Sequence, residues 1–178
     1  MKMKSKTRTV LIVLRVLAWL GVFGIALNLG SQVISFIVSF TNPVASKQIP
    51  GIPQNLFNLL KYDFRSYAYA MSFVIALSAM FLYVWYQVTM LLTNLNIKNP
   101  FTAQVSRKLE GIAYGLLAIW GVGFIGEQYV AWLSKRMGDP LNIITVKGEF
   151  LFIAGIVYII SQIFKYGIEL QEENQQTI

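Results

Sequence analysis

Long apolar runs separated by short polar breaks organise this chain. From Thr9 to Phe40 the only ionisable residue is Arg15. Such a run exceeds the roughly 20 helical residues needed to span about 30 Å of hydrocarbon. With a hydrocarbon portion from about Leu17 to Phe36, Arg15 lies at the interface, its stem buried and its guanidinium reaching water. Thr41 to Ser66 carries Pro43, Pro50, Gly51 and Pro53 among Asn and Gln residues, a composition for turns, with Asn55–Tyr62 a candidate interfacial helix. A second span runs from about Tyr67 to Thr93, with Tyr67, Tyr69, Tyr83, Trp85 and Tyr86 near its ends at headgroup depth. Asn94 to Thr102 is a tight connection, in which Asn99 and Pro100 stop one helix and Thr102 caps the next. The third helix covers about Ala103 to Ser134, entering hydrocarbon near Gly111, and Lys135 to Glu149 makes a second exposed connection. The fourth apolar core, Phe150 to about Phe164, is short, and its helix can continue through Lys165 into the polar tail.

The pattern therefore predicts an all-α integral membrane four-helix bundle. It forms a single transmembrane domain over residues 1–178, with spans at about 13–38, 67–93, 108–133 and 150–166 and a tail at 167–178. Composition agrees: 56% of the residues are apolar and 13% charged, against about 25% charged in soluble domains. Lys2, Lys4, Lys6 and Arg8 before an apolar stretch also fit a secretory leader. The run is too long for one, however, and passes Asn28 without a small-residue cleavage pattern, so a retained anchor is expected.

The chain has no cysteine and no histidine, which removes disulfides, thiolate chemistry and most zinc, haem and triad sites. No catalytic constellation stands out among the remaining Ser, Thr, Tyr and acidic residues, so neither an enzyme nor a cofactor or metal is expected. The net charge of +7 is scattered over loops and helix ends. Contact with anionic lipid headgroups explains it better than direct nucleic-acid binding.

Lysines and arginines near span ends set the orientation. Eight (Lys2, Lys4, Lys6, Arg8, Lys98, Arg107, Lys108 and Lys165) lie on one side, against six (Lys47, Lys61, Arg65, Lys135, Arg136 and Lys147) on the other. The bias, led by the N-terminal cluster, predicts cytoplasmic termini. Gly111 and Gly115 form a G-x-x-x-G pair, followed by Gly121, Gly123 and Gly126, while Ala26 with Gly30 and Ser72 with Ala76 offer matching small faces. Close packing within the chain or a homo-oligomer seam would use them. Asn28, Gln32 and Gln87 are expected to bond between helices. Glu127 is the one acid placed inside a span. It is either an intramembrane polar site for a cation or proton, or an interfacial residue paired with Arg65, Lys135 or water. Lys165, Glu169, Glu172 and Glu173 form one polar stripe if the last helix continues past the membrane.

Asn94 to Thr102 reads NLNIKNPFT and the end reads GIELQEENQQTI, with FLFIAG from Phe150 to Gly155. Together with the basic N-terminus and the spacing of four spans, these stretches resemble the bacterial domain-of-unknown-function family 2975, most closely its Bacteroidota members. Gly167, Glu169, Leu170, Gln171, Glu172, Glu173, Asn174, Thr177 and Ile178 fit that family's end, whereas Gln175 and Gln176 replace acidic and leucine residues often seen there. The resemblance implies a multi-pass inner-membrane protein, often encoded beside a small helix-turn-helix regulator, and supplies no catalytic residues.

Two functions follow. In the first, a cytoplasmic face engages a partner such as that transcriptional regulator. Its connection side holds Lys98, Asn99, Pro100, Phe101, Arg107 and Lys108, and its tail side Glu169, Gln171, Glu172, Glu173 and Asn174. In the second, a small permease or peptide-resistance protein works through the outer loops and Glu127.

Overall fold

The computed structural model describes residues 2–46, 48–49, 55–95, 100–138, 140–141 and 143–176. Its elements are α1 (Lys2–Thr41), α2 (Pro43–Ser46), α3 (Asn55–Tyr62), α4 (Phe64–Asn94), α5 (Ala103–Met137) and α6 (Glu149–Gln176), with no strand among the described residues. Four helical segments are long and apolar enough to cross a membrane: Thr9–Thr41, Phe64–Asn94, Ala103–Met137 and Glu149–Asn174. This is a multi-pass, all-α membrane protein, as its apolar runs predict.

Side chains at the helix ends explain where the helices begin and stop. Asn42 caps α2, accepting from the Ala45 amide at 3.0 Å, with Pro43 at the first helical position, where a missing N–H costs nothing. Thr102 caps α5 as expected, its Oγ1 3.4 Å from the Val105 nitrogen. Asp63 caps α4 from the residue before Phe64: its carboxylate accepts from the Ser66 amide at 2.9 Å and the Ser66 hydroxyl at 2.6 Å. These bonds, the hydroxyl's foremost, hold the Asp63 carboxyl below its ordinary value. Helix α5 ends at Gly138, whose φ of 72° is open to glycine at little cost and whose amide reaches the Ser134 carbonyl at 3.0 Å.

The chain divides into two compact units. The first comprises Met1–Val22, Tyr83–Leu117 and Glu149–Ile178. Within it α1 meets α4, since Arg15 Nε donates to the Leu92 carbonyl at 2.7 Å and a Cβ on Gly21 would lie 3.0 Å from the Trp85 ring. A Cβ on Gly115 of α5 would sit 2.6 Å from Val84 of α4, so only glycine permits that approach. On its other side α5 meets α6, where buried Ser106 donates to the Ser161 carbonyl at 3.1 Å and the Tyr114 and Tyr158 rings lie 6.1 Å apart.

The second unit comprises Phe23–Leu82 and Ala118–Gly148. Phe36, Phe40, Phe64 and Tyr67 form an aromatic cluster joining the end of α1 to the start of α4. Ser35 ties α2 to α1 through the Ser46 carbonyl at 3.1 Å. The amphipathic α3 buries Leu56, Phe57 and Leu59 and exposes Asn58, Lys61 and Tyr62. After Gly138 the chain folds back over α5. The Leu141 amide donates to Ser134 Oγ at 3.1 Å, Ile144 lies over Gly126, and Val146 occupies the space a Cβ on Gly123 would need.

Several packing expectations need correction. Gly111, Gly121 and Gly30 have no neighbour in the place of a Cβ, so the G-x-x-x-G pair is used only at Gly115. Ala26, Ser72 and Ala76 are exposed. At 100° per residue they fall opposite the buried stripes Gln32, Ser35 and Ser39 on α1 and Tyr67, Ala70 and Met71 on α4. The amides bond along their own helices rather than between them: Gln32 donates to Asn28 Oδ1 at 2.6 Å, and Gln87 to the Tyr83 hydroxyl at 2.8 Å. Four-residue spacing sets such partners side by side before any second helix arrives.

This packing makes two outcomes testable. Gly123→Leu displaces Val146 and lowers stability by about 1–3 kcal/mol, the usual cost of overpacking, whereas Gly121→Leu, facing open space, leaves it near wild type; thermal unfolding followed by circular dichroism in detergent compares them. Asp63 has a depressed folded value, so its contribution is complete above the unfolded value of 3.8 and is lost as pH falls through the lower folded one. Asp63→Asn is therefore less stable than wild type at neutral pH, and the gap closes as the cap protonates below that range; a gap constant with pH would refute the charged cap.

Candidate interaction surface

Of the residues proposed on the connection side, Lys98 and Asn99 lie outside the described residues. Pro100 and Phe101 lead into α5, with the Thr102 amide reaching the Pro100 carbonyl at 3.1 Å. Phe101 turns onto α6: its ring centroid is 5.0 Å from that of Phe164, and a Cβ on Gly167 would lie 2.8 Å from its Cδ1. Gly167 is thus the recess that receives Phe101. One turn further along α5, Ser106 closes onto Ser161. The stretch leading into α5 and the section of α6 just before the polar tail are therefore fastened together within one unit, by an aromatic pair and a buried hydrogen bond.

Gln104, Arg107 and Lys108 share a face of α5, since residues three and four apart are neighbours on a helix. With Gln87 of α4 they line a groove of about 290 Å³. Arg107 is exposed and Lys108 half-buried, so the groove offers two cations beside two amides.

Beyond Gly167 the helix does not stop. Helix α6 runs to Gln176, so the tail stripe is helical as expected, and Glu169, Leu170, Gln171, Glu172, Glu173 and Asn174 are all exposed. Asn174 Nδ2 donates back to the Leu170 carbonyl one turn earlier at 2.9 Å. Glu169 and Glu172 or Glu173, three and four residues apart, share a side of the helix.

Glu127 belongs to the other compact unit, half-buried on α5, with no hydrogen bond or ion pair to Arg65, Lys135 or any other described residue. Among the described residues no group of three metal-ligating side chains comes together.

Sequence reasoning left out Gln87 and Gln104 as groove walls and Phe164 as the partner of Phe101. The legible signal was Gly167, a glycine within a helical stretch, which suggests close approach by a neighbour but does not name it.

A family model described as "Protein of unknown function (DUF2975)" matches residues 41–178. That range includes the NLNIKNPFT connection, the FLFIAG stretch and the polar end, which carry part of the resemblance, and leaves out the basic N-terminus. No curated protein and no solved structure matches the chain. Since the match runs over most of its length, the chain belongs to the DUF2975 family of proteins of unknown function.

Proposed function

We propose that this protein is a non-enzymatic regulatory protein of the bacterial inner membrane, with both termini cytoplasmic. Its cytoplasmic face captures a soluble transcriptional regulator of helix-turn-helix type. The observation that carries this reading is the fastening of Phe101 onto Phe164 and Gly167. It gives the basic start of α5 and the acidic extension of α6 a common rigid footing, and a docking surface on rigid elements loses less entropy on binding than a loose tail.

Charge supports the choice of partner. The α6 extension presents Glu169, Glu172 and Glu173 on an exposed helix, and a DNA-binding regulator carries a basic face for phosphate. An acidic helix is complementary to such a face, so capture at the membrane would compete with DNA. Contacts among exposed charges steer association and weaken with salt.

The test is affinity capture from native membranes, with the intact chain, a deletion of 168–178, and the triple variant Glu169→Lys, Glu172→Lys, Glu173→Lys. The expected outcome is a small basic DNA-binding protein retained by the intact chain and reduced at least about tenfold by either change, the effect of losing one to two charged contacts. The retained protein should dissociate as ionic strength rises, and Glu127→Gln should hold it as wild type does. Equal retention by all the chains, each shown to be inserted and helical, would refute the proposal.

A further inference from the structure

Arg15 is the only charge between Thr9 and Phe40. It sits in a span whose most apolar window is 6% buried, so most of that helix is covered by its surroundings rather than by protein. Arginine does not shed its charge at such a site, and its planar fork carries five N–H donors. One of them is accounted for: Nε donates to the Leu92 carbonyl at 2.7 Å. That carbonyl belongs to the last turn of α4, which ends at Asn94 and leaves its final carbonyls without partners in the helix. The bond therefore stabilises the negative end of α4 and fixes the direction of the guanidinium. The other four donors have no partner among the described residues.

Those donors open onto a groove of about 530 Å³ lined by Ile12, Val16, Trp19 and Leu20 of α1 and Thr93 of α4. Its walls are apolar apart from Arg15, the Trp19 indole N–H and the Thr93 hydroxyl, and that hydroxyl donates to the Thr89 carbonyl at 2.7 Å. The depth follows from Thr93 lying one residue before the end of α4, where an apolar span gives way to the polar connection that begins at Asn94. A cation at that level, with Val16, Trp19 and Leu20 following it toward hydrocarbon, matches a phosphate at the headgroup and a chain running into the bilayer.

We infer that this groove is a binding site for an anionic phospholipid. Its phosphodiester lies on the terminal nitrogens of Arg15, and an acyl chain lies along Val16, Trp19 and Leu20, on the hydrocarbon side of that charge. Two oxygens of a phosphate match the guanidinium fork, and such charge-assisted pairs are about twice as strong as neutral ones. A soluble phosphate would satisfy Arg15 but leave the aliphatic walls uncovered, whereas a lipid covers both. The preference for an anionic headgroup has a second basis: no acidic residue occurs before Asp63, and none lines the groove. The ammonium of a zwitterionic headgroup would therefore have no counter-charge there. The inference rests on Arg15 and its groove alone, independent of the regulator proposed above.

Native mass spectrometry of the purified protein in detergent tests it, by titration with phosphatidylglycerol and phosphatidylcholine of identical chains. Wild type should retain one phosphatidylglycerol in preference to phosphatidylcholine, and millimolar glycerol phosphate should not displace it. Arg15→Gln should weaken phosphatidylglycerol binding about tenfold, the factor for one lost charged contact, and leave phosphatidylcholine unchanged. Because Arg15 also holds the end of α4, Val16→Trp provides a second variant: it fills the groove from an exposed position, keeps the Leu92 bond, and should weaken the same lipid by a similar factor. Circular dichroism establishes that each variant is helical. Equal binding of the two lipids, displacement by glycerol phosphate, or unchanged retention by a folded Val16→Trp variant would overturn the inference.

Discussion

Hydrocarbon offers a backbone no hydrogen-bonding partners, and most of what this chain does follows from that constraint. Each span has to satisfy its own amides and carbonyls, so only helices serve, and polar side chains in the spans turn inward to the nearest carbonyl. Ser39, Ser72, Thr89, Thr93 and Ser161 all donate to a carbonyl three or four residues earlier on the same helix. Gln32 and Gln87 likewise find acceptors one turn away. Little polarity is left over for joining helix to helix.

What joins them is close packing with a few hydrogen bonds that leave their own helix, as expected where lipid is as apolar as the side chains and burial by itself gives no drive to associate. In the first unit, glycines at 21 and 115 let Trp85 and Val84 approach, and Arg15 and Ser106 each donate to a carbonyl of a neighbouring helix. In the second, the recesses at Gly123 and Gly126 receive residues from the returning segment after α5 as well as Phe73. That segment is a connection in the sequence and packing material in the fold, with Leu141 and Ile144 buried.

The candidate surface was partly legible. Asn94 to Thr102 and the polar end are recognisable as sequence, and the charged residues at 107, 108, 169, 172 and 173 follow from helical spacing at span ends. Their common footing was not, because Phe101 and Phe164 are two among 12 phenylalanines, and nothing in their spacing distinguishes a pair in contact from two rings facing lipid. Glu127 shows the opposite case. It stood out as an acid in an apolar run, and the fold brings no described partner to it.

Local sequence was enough to establish four helices long and apolar enough to span a membrane, the helix α3 at Asn55–Tyr62, and the continuation of α6 into the tail. These properties depend on hydropathy, on caps and on breakers within a few residues, all of which are written consecutively. The Asp63 cap was equally local, yet an aspartate followed three residues later by serine is too common a pair to mark a helix start. Three features instead came from tertiary contacts: which glycines are recesses, which faces of α1 and α4 are buried, and that Arg15 would reach the last turn of α4. Small residues occur on every face of these helices, so the choice among faces depends on the shape of a neighbour tens of residues away, which no local pattern encodes.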